Sequence, residues 1–230
     1  MSETVFQAAT LIIPLILAIV FHEVAHGWMA LALGDPTAAE QNRLTLNPLR
    51  HVDPIGTVVV PGLLALAKAP VFGWARPVPV DRWRLRNPRS GMMLVAAAGP
   101  GINLVMAGVS AVLLGLLLLT YDEAIVPSAL ARFLTANLMN FITINIFLAL
   151  FNLLPVPPFD GAHIVEGLLP RKLARAFGRL HKWGLLVMIV LIVVLPWLIP
   201  GFDPVGKFVV PPVEWLTGKY LAIAAGIAAG

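Results

Sequence analysis

Four long stretches of this 230-residue chain are almost free of charged side chains, and no other feature limits its possible folds as strongly. A membrane-spanning helix needs about 20 consecutive, mostly apolar residues, and each stretch is at least that long. Only 12% of all residues are charged, whereas a soluble domain has about 25%. The composition therefore excludes an ordinary soluble enzyme, a disordered chain and a fibre, and it predicts an all-α polytopic membrane protein. The four stretches are Thr4–Gly34, Gly91–Thr120, Phe133–Phe159 and Trp183–Phe202.

Two weaker apolar segments bring the expected bundle to about four to six transmembrane helices. Pro54–Ala67 is uncharged, but about 14 residues are too few for an easy span, so we favour a re-entrant hairpin. If this segment spans instead, the loop Asp35–Asp53 lies on the outer side. The tail Phe208–Gly230 is mildly apolar. We expect one membrane-embedded domain over residues 1–230, with a core at about residues 5–170 and extra C-terminal helices in residues 171–230.

Two stretches between the apolar segments, Gln41–Leu46 and Gly73–Val80, are predicted to be extended and to form short membrane-associated β-strands. Pro77 and Pro79 restrict the second stretch to an edge strand or a loop, because proline cannot donate to a β-ladder.

The basic residues predict the orientation in the membrane, since cytoplasmic loops carry an excess of Lys and Arg. Two loops are strongly basic, Arg76–Arg89 and Arg171–Lys182, and we expect both in the cytoplasm. The loop with Asp122 and Glu123 is acidic and is expected outside. The chain is thus predicted to be a multi-pass protein of the cell (inner) membrane. The basic loops are better explained by contact with anionic lipid than by nucleic-acid binding.

The first apolar stretch contains three ionisable residues in one short motif, His22-Glu23-Val24-Ala25-His26. Helical residues four apart lie about 40° apart around the axis and about 6 Å apart along it, so both imidazoles can share one zinc ion. Glu23 lies on the adjacent flank, within reach of a water on that metal. An ionisable group at membrane depth costs several kcal/mol, and three of them in an uncharged helix have no structural explanation. The motif predicts a hydrolytic zinc site.

A catalytic zinc usually takes three protein ligands, so one more is needed. The chain has no cysteine. Asp160 is the remaining acid at membrane depth. It follows a proline-rich break at the end of the third apolar stretch, Phe133–Phe159. Irregular backbone at membrane depth is tolerated only around a cavity. The other histidines stay open candidates: His51 as a structural turn, His163 beside the site or at the interface, and His181 in a basic loop.

These motifs resemble the site-2 protease family of intramembrane zinc metalloproteases, in its small prokaryotic branch without a PDZ or CBS domain. The resemblance runs from about residue 15 to 170. It is carried by His22-Glu23-x-x-His26, Phe72-Gly73-Trp74-Ala75-Arg76-Pro77-Val78-Pro79-Val80, Gly99-Pro100-x-x-Asn103 and Asn152-x-x-Pro155-x-Pro157-x-x-Asp160-Gly161.

The resemblance implies one zinc ion per chain, held by His22, His26 and Asp160, with Glu23 as the general base. It also implies that Asn152 contacts the substrate carbonyl or its oxyanion. Asn103 either lines the site or bonds a neighbouring helix. The expected partners are the lipid bilayer and a transmembrane protein substrate, cut in the cytoplasmic half of the membrane; the oligomeric state is left open.

Two other function classes fit parts of the sequence. A transporter or metal channel also places His and Asp inside a membrane, but transport needs no general base beside its ligands. A catalytically silent relative would lack one of the expected chemical groups, and all four ionisable groups are present. We therefore favour peptide hydrolysis.

Overall fold

The computed structural model describes residues 3–66, 73–121, 128–199 and 201–230, and these residues form an all-helical protein. The α-helices are α1 (Glu3–Ala32), α2 (Thr37–Glu40), α3 (Val60–Leu66), α4 (Pro88–Leu118), α5 (Ala129–Asn152), α6 (Asp160–Leu168), α7 (Arg171–Gly178), α8 (Gly184–Ile189), α9 (Leu195–Leu198), α10 (Pro204–Phe208) and α11 (Val210–Ala228). Two 3₁₀ turns (Pro48–Arg50 and Arg179–Trp183) and two π-helical segments (Pro54–Val59 and Val190–Val194) connect some of them.

Four helical segments are long and apolar enough to cross a membrane, which confirms the predicted multi-pass membrane protein. Three are the single helices α1, α4 and α5, and the fourth is the continuous helical run Arg171–Leu198. The outward face of α1 is strongly apolar: its large side chains between residues 11 and 17 are 40–53% exposed. Such a face is stable against lipid hydrocarbon and unfavourable in water.

The core of the bundle lies where α4, α5 and α11 meet. Small residues of α4, including Ala107 and Ala111, pack against Ile142 and Ile146 of α5 and against Ala224 of α11. The absence of a side chain at Gly115 lets α11 approach, since a Cβ there would lie 2.7 Å from the carbonyl oxygen of Ala224. Small residues at helix contacts are typical of membrane bundles. The C-terminal tail is thus packed into the core rather than added to its outside.

The two predicted β-strands are absent from the residues that the structure describes. Gln41–Leu46 and Gly73–Val80 are irregular, and side chains take the backbone groups that a ladder would need. The Arg43 guanidinium donates to the carbonyl oxygen of Arg76 at 2.8 Å. The backbone N–H of Val78 donates to a carboxylate on α1. The two stretches are therefore held side by side without pairing as strands.

The predicted hairpin at Pro54–Ala67 is described only in part. Pro54–Leu66 is one helical run, π-helical and then α-helical, and Asp53 caps its start by accepting bonds from the N–H groups of Ile55 and Gly56. Any return of the chain falls on residues 67–72, outside the described residues. The acidic loop Asp122–Glu123 also lies outside them.

Candidate metal centre

Helix α1 presents His22 and His26 one turn apart on the face that it turns toward α4. Their rings meet edge to face, with centroids 4.6 Å apart and planes at 88°. The two Nε2 atoms are 3.0 Å apart. His22 is 7% exposed. The sequence spacing therefore produces the convergence that it predicted, with both rings directed at one point.

Asp160 reaches the same point from the first residue of α6. Its Oδ2 atom lies 3.1 Å from Nε2 of His22 and 3.4 Å from Nε2 of His26. The chain between α5 and α6 is an irregular segment rich in proline. This segment ends α5 and leads to Asp160, which meets the two histidines of α1. Gly161 has to be glycine here, because a Cβ would collide with the backbone carbonyls of Leu153 and Leu154.

The outer nitrogen of each imidazole is bound to an oxygen. Nδ1 of His22 donates to Oδ1 of Asn103 at 2.6 Å, and Nδ1 of His26 donates to the backbone carbonyl of Val95 at 2.7 Å. In a neutral imidazole, a proton held on the outer nitrogen leaves Nε2 as a lone pair that can bind a metal. Both lone pairs are directed at Asp160.

This arrangement fits a metal ion. Oδ2 of Asp160 is buried and makes no hydrogen bond among the described residues, and it converges with the two Nε2 atoms as a third potential ligand atom. Ligands at 2.0–2.1 Å from a tetrahedral zinc are separated by roughly 3.3–3.4 Å, and the observed separations are 3.0, 3.1 and 3.4 Å. A bound cation would satisfy all three of these ligand atoms at once.

Gly99 of α4 lies directly against the two imidazoles. A Cβ at this position would be 2.5 Å from Nε2 of His26 and 2.6 Å from Cε1 of His22. Any side chain would therefore displace the rings. The Gly99-Pro100 element was noted in the sequence only as part of the family resemblance. In the structure, Gly99 leaves room for the two imidazole rings.

Glu23 lies next to His22 on α1, and one of its carboxylate oxygens contacts the chain segment that follows α3. Its Oε2 atom accepts a hydrogen bond from the backbone N–H of Val78 at 2.8 Å. Gly27, one turn farther along α1, permits this contact, because a Cβ there would lie 2.9 Å from Cγ1 of Val78. The Val78 contact could not be predicted from the sequence, since it depends on how two distant segments fold together.

The two candidate asparagines have different surroundings. Asn103 is fully buried and contacts His22, so it lines the metal centre. Asn152, the last residue of α5, donates to the backbone carbonyl of Leu148 in its own helix at 2.9 Å. Among the described residues, no hydrogen bond joins Asn152 to His22, His26 or Asp160. Its part in substrate binding stays a prediction.

A second group of potential ligands comprises His163, Glu166 and His181. Its histidine rings are stacked, with centroids 4.3 Å apart and planes at 22°, so their in-plane lone pairs run nearly parallel rather than converging. Glu166 is 3.7 Å from the guanidinium of Arg82. Burial, and then the neighbouring His181, lower the pKa of His163. This group links α6 to two basic loops and has the geometry of a polar contact.

Comparison with known proteins agrees with this centre. The profile of peptidase family M50 matches residues 120–195, which include Asn152 and Asp160. A protein of Bacillus subtilis (strain 168) named "Putative zinc metalloprotease YwhC" is 39% identical over 206 residues, covering 88% of this chain and 84% of that protein.

Two more distant relatives carry the name "Putative zinc metalloprotease Rip2". The protein of Mycolicibacterium smegmatis is 28% identical over 180 residues, covering 77% of this chain and 64% of its own length. That of Mycobacterium tuberculosis (strain H37Rv) is 28% identical over 177 residues, covering 76% and 63%. This chain thus spans slightly less than two thirds of the Rip2 proteins. No solved structure matches it.

Apolar helices around a buried His-His-Asp centre, together with these relatives, define the class: a membrane-embedded zinc metalloprotease. Within that class, the chain belongs to peptidase family M50, the site-2 protease family.

Proposed function

We propose that this protein hydrolyses peptide bonds within or next to the transmembrane segments of other membrane proteins, with one zinc ion held by His22, His26 and Asp160. The observation that carries the proposal is the convergence of three potential ligand atoms, 3.0–3.4 Å apart, with the Glu23 carboxylate on the adjacent flank of the same helix. Zinc bound there supplies a Lewis acid that lowers the pKa of a coordinated water toward about 7.

Glu23 is the general base in this proposal. Oε2 is occupied by the Val78 N–H, so Oε1 takes the proton of the attacking water and later delivers it to the leaving amine. Such proton transfer contributes about 10²–10⁴ in rate. The Val78 bond stabilises the charged carboxylate and fixes its rotamer, so that one oxygen stays directed at the reaction.

Asn152 is proposed to donate to the substrate carbonyl as negative charge develops on its oxygen. The side-chain amide is bonded within its own helix, to Leu148, and a rotation about its side-chain torsions would direct it elsewhere. A single oxyanion donor contributes about 10²–10³ in rate in other hydrolases. Its location, at the C-terminal end of α5 and eight residues before Asp160, supports this role.

The substrate must unwind before it can be cut, because a transmembrane helix buries its own carbonyls in hydrogen bonds. The irregular stretches Gln41–Leu46 and Gly73–Val80 border α1 next to the proposed site, and Leu44 and Val78 both contact the surface at Gly27. We propose that an unwound substrate segment lies along one of them and bonds to the backbone groups that Arg43 and Glu23 leave free. An open concavity of about 470 Å³ beside the first stretch, lined by Ala39, Asn42, Leu44, Thr45, Asn47 and Arg50, provides room for it.

The centre is proposed to lie in the cytoplasmic half of the cell membrane. His22 lies ten residues before the end of α1 at Ala32, which corresponds to about 15 Å of helix, or half the thickness of a bilayer core of about 30 Å. The basic loops near that end, Arg76–Arg89 and Arg171–Lys182, favour the cytoplasmic side.

The test is a cleavage assay with the purified protein in liposomes and a model substrate that has one transmembrane segment. The zinc-loaded protein is expected to cut that segment, a chelator to abolish cleavage, and added zinc to restore it. A zinc-sensitive dye inside the liposomes is read in the same samples. Zinc entry without any peptide product would refute the proposal in favour of transport.

A further inference from the structure

Two fully buried asparagines connect the proposed metal centre to helix α5. Asn103 of α4 and Asn145 of α5 are both 0% exposed, and Nδ2 of Asn103 donates to Oδ1 of Asn145 at 2.7 Å. We infer that Asn145 is a positioning residue for the metal centre, which acts on His22 through Asn103. The inference rests on the proposed zinc site, in which His22 is a ligand.

The direction of this hydrogen-bonded chain follows from its far end. Nδ2 of Asn145 donates to the backbone carbonyl of Phe141 at 2.7 Å, and a carbonyl can only accept. Oδ1 of Asn145 must therefore face Asn103 and accept from its Nδ2. That orients Oδ1 of Asn103 toward His22, where it accepts the Nδ1 proton at 2.6 Å.

The consequence reaches the metal ligand itself. With its proton held on Nδ1, His22 presents a bare Nε2 to the point where His26 and Asp160 converge. If the Asn103 amide were reversed, its NH₂ group would face Nδ1 and favour the proton on Nε2. That N–H would occupy the ligand position. Partners of this kind fix the tautomer and orientation of metal-binding histidines.

His22 needs such a chain, whereas His26 does not. Nδ1 of His26 is bound to the backbone carbonyl of Val95, which cannot exchange a donor for an acceptor. The Asn103 amide can do so by a half turn, and its remaining bond, to the carbonyl of Ala18, is long at 3.4 Å. The Oδ1 atom of Asn145 is therefore what keeps Asn103 in the useful orientation.

The test compares zinc affinities, measured by competition with a chelator, together with the thermal stability of the metal-free protein. Asn145→Leu is expected to lower zinc affinity about 10–100-fold. Asn140→Leu is the matched control: Asn140 lies on the same helix and donates to the carbonyl of Thr10 on α1 at 2.8 Å, away from the metal ligands. It is expected to keep wild-type zinc affinity. If Asn145→Leu does not fold, Asn145→Ala replaces it, with the same loss expected.

Two further variants separate positioning from a purely structural role. Asn145→Asp keeps an oxygen that accepts from Asn103, so its zinc affinity is expected to stay close to wild type, although the donor to Phe141 is altered. The double variant Asn103→Leu/Asn145→Leu is expected to bind zinc no more weakly than Asn103→Leu alone, because Asn145 acts through Asn103. Equal zinc losses in Asn145→Leu and Asn140→Leu, or additive losses in the double variant, would overturn the inference.

The proposed zinc site is tested separately by His22→Ala and Asp160→Ala. If those two variants bind zinc as the wild type does, the ligand set is wrong. If they lose zinc and Asn145→Leu does not, only the role of Asn145 is refuted.

Discussion

The backbone N–H of Val78 and the side chain of Glu23 are joined by a hydrogen bond of 2.8 Å, although 55 residues separate them in the chain. This bond couples the proposed general base on α1 to the irregular stretch Gly73–Val80. The same stretch is a candidate to hold the unwound substrate. In the proposed mechanism, substrate binding and orientation of the base are thus connected through one peptide group.

Loosening this stretch is expected to slow catalysis without releasing zinc. Arg43 is 7% exposed and holds the carbonyls of Arg76 at 2.8 Å and of Pro77 at 3.4 Å, next to Val78. In Arg43→Met, kcat is expected to fall by up to about 10²-fold, the cost of a misplacement of about 1 Å, with zinc content unchanged. Arg175→Met removes an exposed charge from α7 and is expected to behave as wild type. Equal kcat values for both variants would contradict this coupling.

The steric role of Gly99 is tested by adding one methyl group. Gly99→Ala is expected to displace both imidazoles and to lower zinc affinity roughly 5- to 150-fold, since overpacking a tight contact typically costs 1–3 kcal/mol. Gly101→Ala, two residues farther along α4, is the control, because a Cβ there meets nothing within 4 Å. Chelator competition measures both variants. Normal zinc binding by Gly99→Ala would show that α4 does not confine the site.

The third ligand is tested by the zinc content of Asp160→Ala. Removing Oδ2 leaves two imidazoles, and the bound zinc is expected to fall well below one ion per chain after dialysis. Asp203→Ala serves as the comparison. Asp203 is the N-cap of α10, and its side-chain oxygen accepts a hydrogen bond from the backbone N–H of Gly206. An unchanged zinc content in Asp160→Ala would remove this residue from the ligand set.

The orientation is tested by cysteine labelling, which is clean because the chain has no cysteine. Position 84 in the first basic loop and position 129 at the start of α5 are exposed. A membrane-impermeant reagent added to intact cells is expected to label Ala129→Cys and to spare Arg84→Cys until the cells are opened. Labelling of position 84 in intact cells would reverse the topology.

The features that the sequence predicts most directly are those governed by local helix geometry or by composition. His22 and His26 converge because residues four apart share a helix face, and Asp160 joins them because prolines end α5. Long uncharged runs can be recognised as membrane spans because the hydrocarbon core sets their length and excludes charge.

The features that the sequence missed depend on contacts between distant segments. A strand pattern in Gly73–Val80 says nothing about an arginine side chain that takes its carbonyls. Asn145 has no spacing that relates it to His22, since the link passes through a third helix. The position of α11 could not be predicted, because it depends on a close backbone contact between Gly115 and Ala224 that hydrophobicity does not indicate.

The most direct test of the account is cleavage of a transmembrane model substrate by Glu23→Gln, with zinc measured in the same sample. The amide is nearly isosteric with the carboxylate, and its oxygen can still accept the Val78 N–H, so fold and zinc content are expected to match wild type. Its lack of basicity removes general-base help worth about 10²–10⁴ in rate, so cleavage is expected to fall to near background. Cleavage near the wild-type rate by a fully zinc-loaded Glu23→Gln protein would contradict the mechanism.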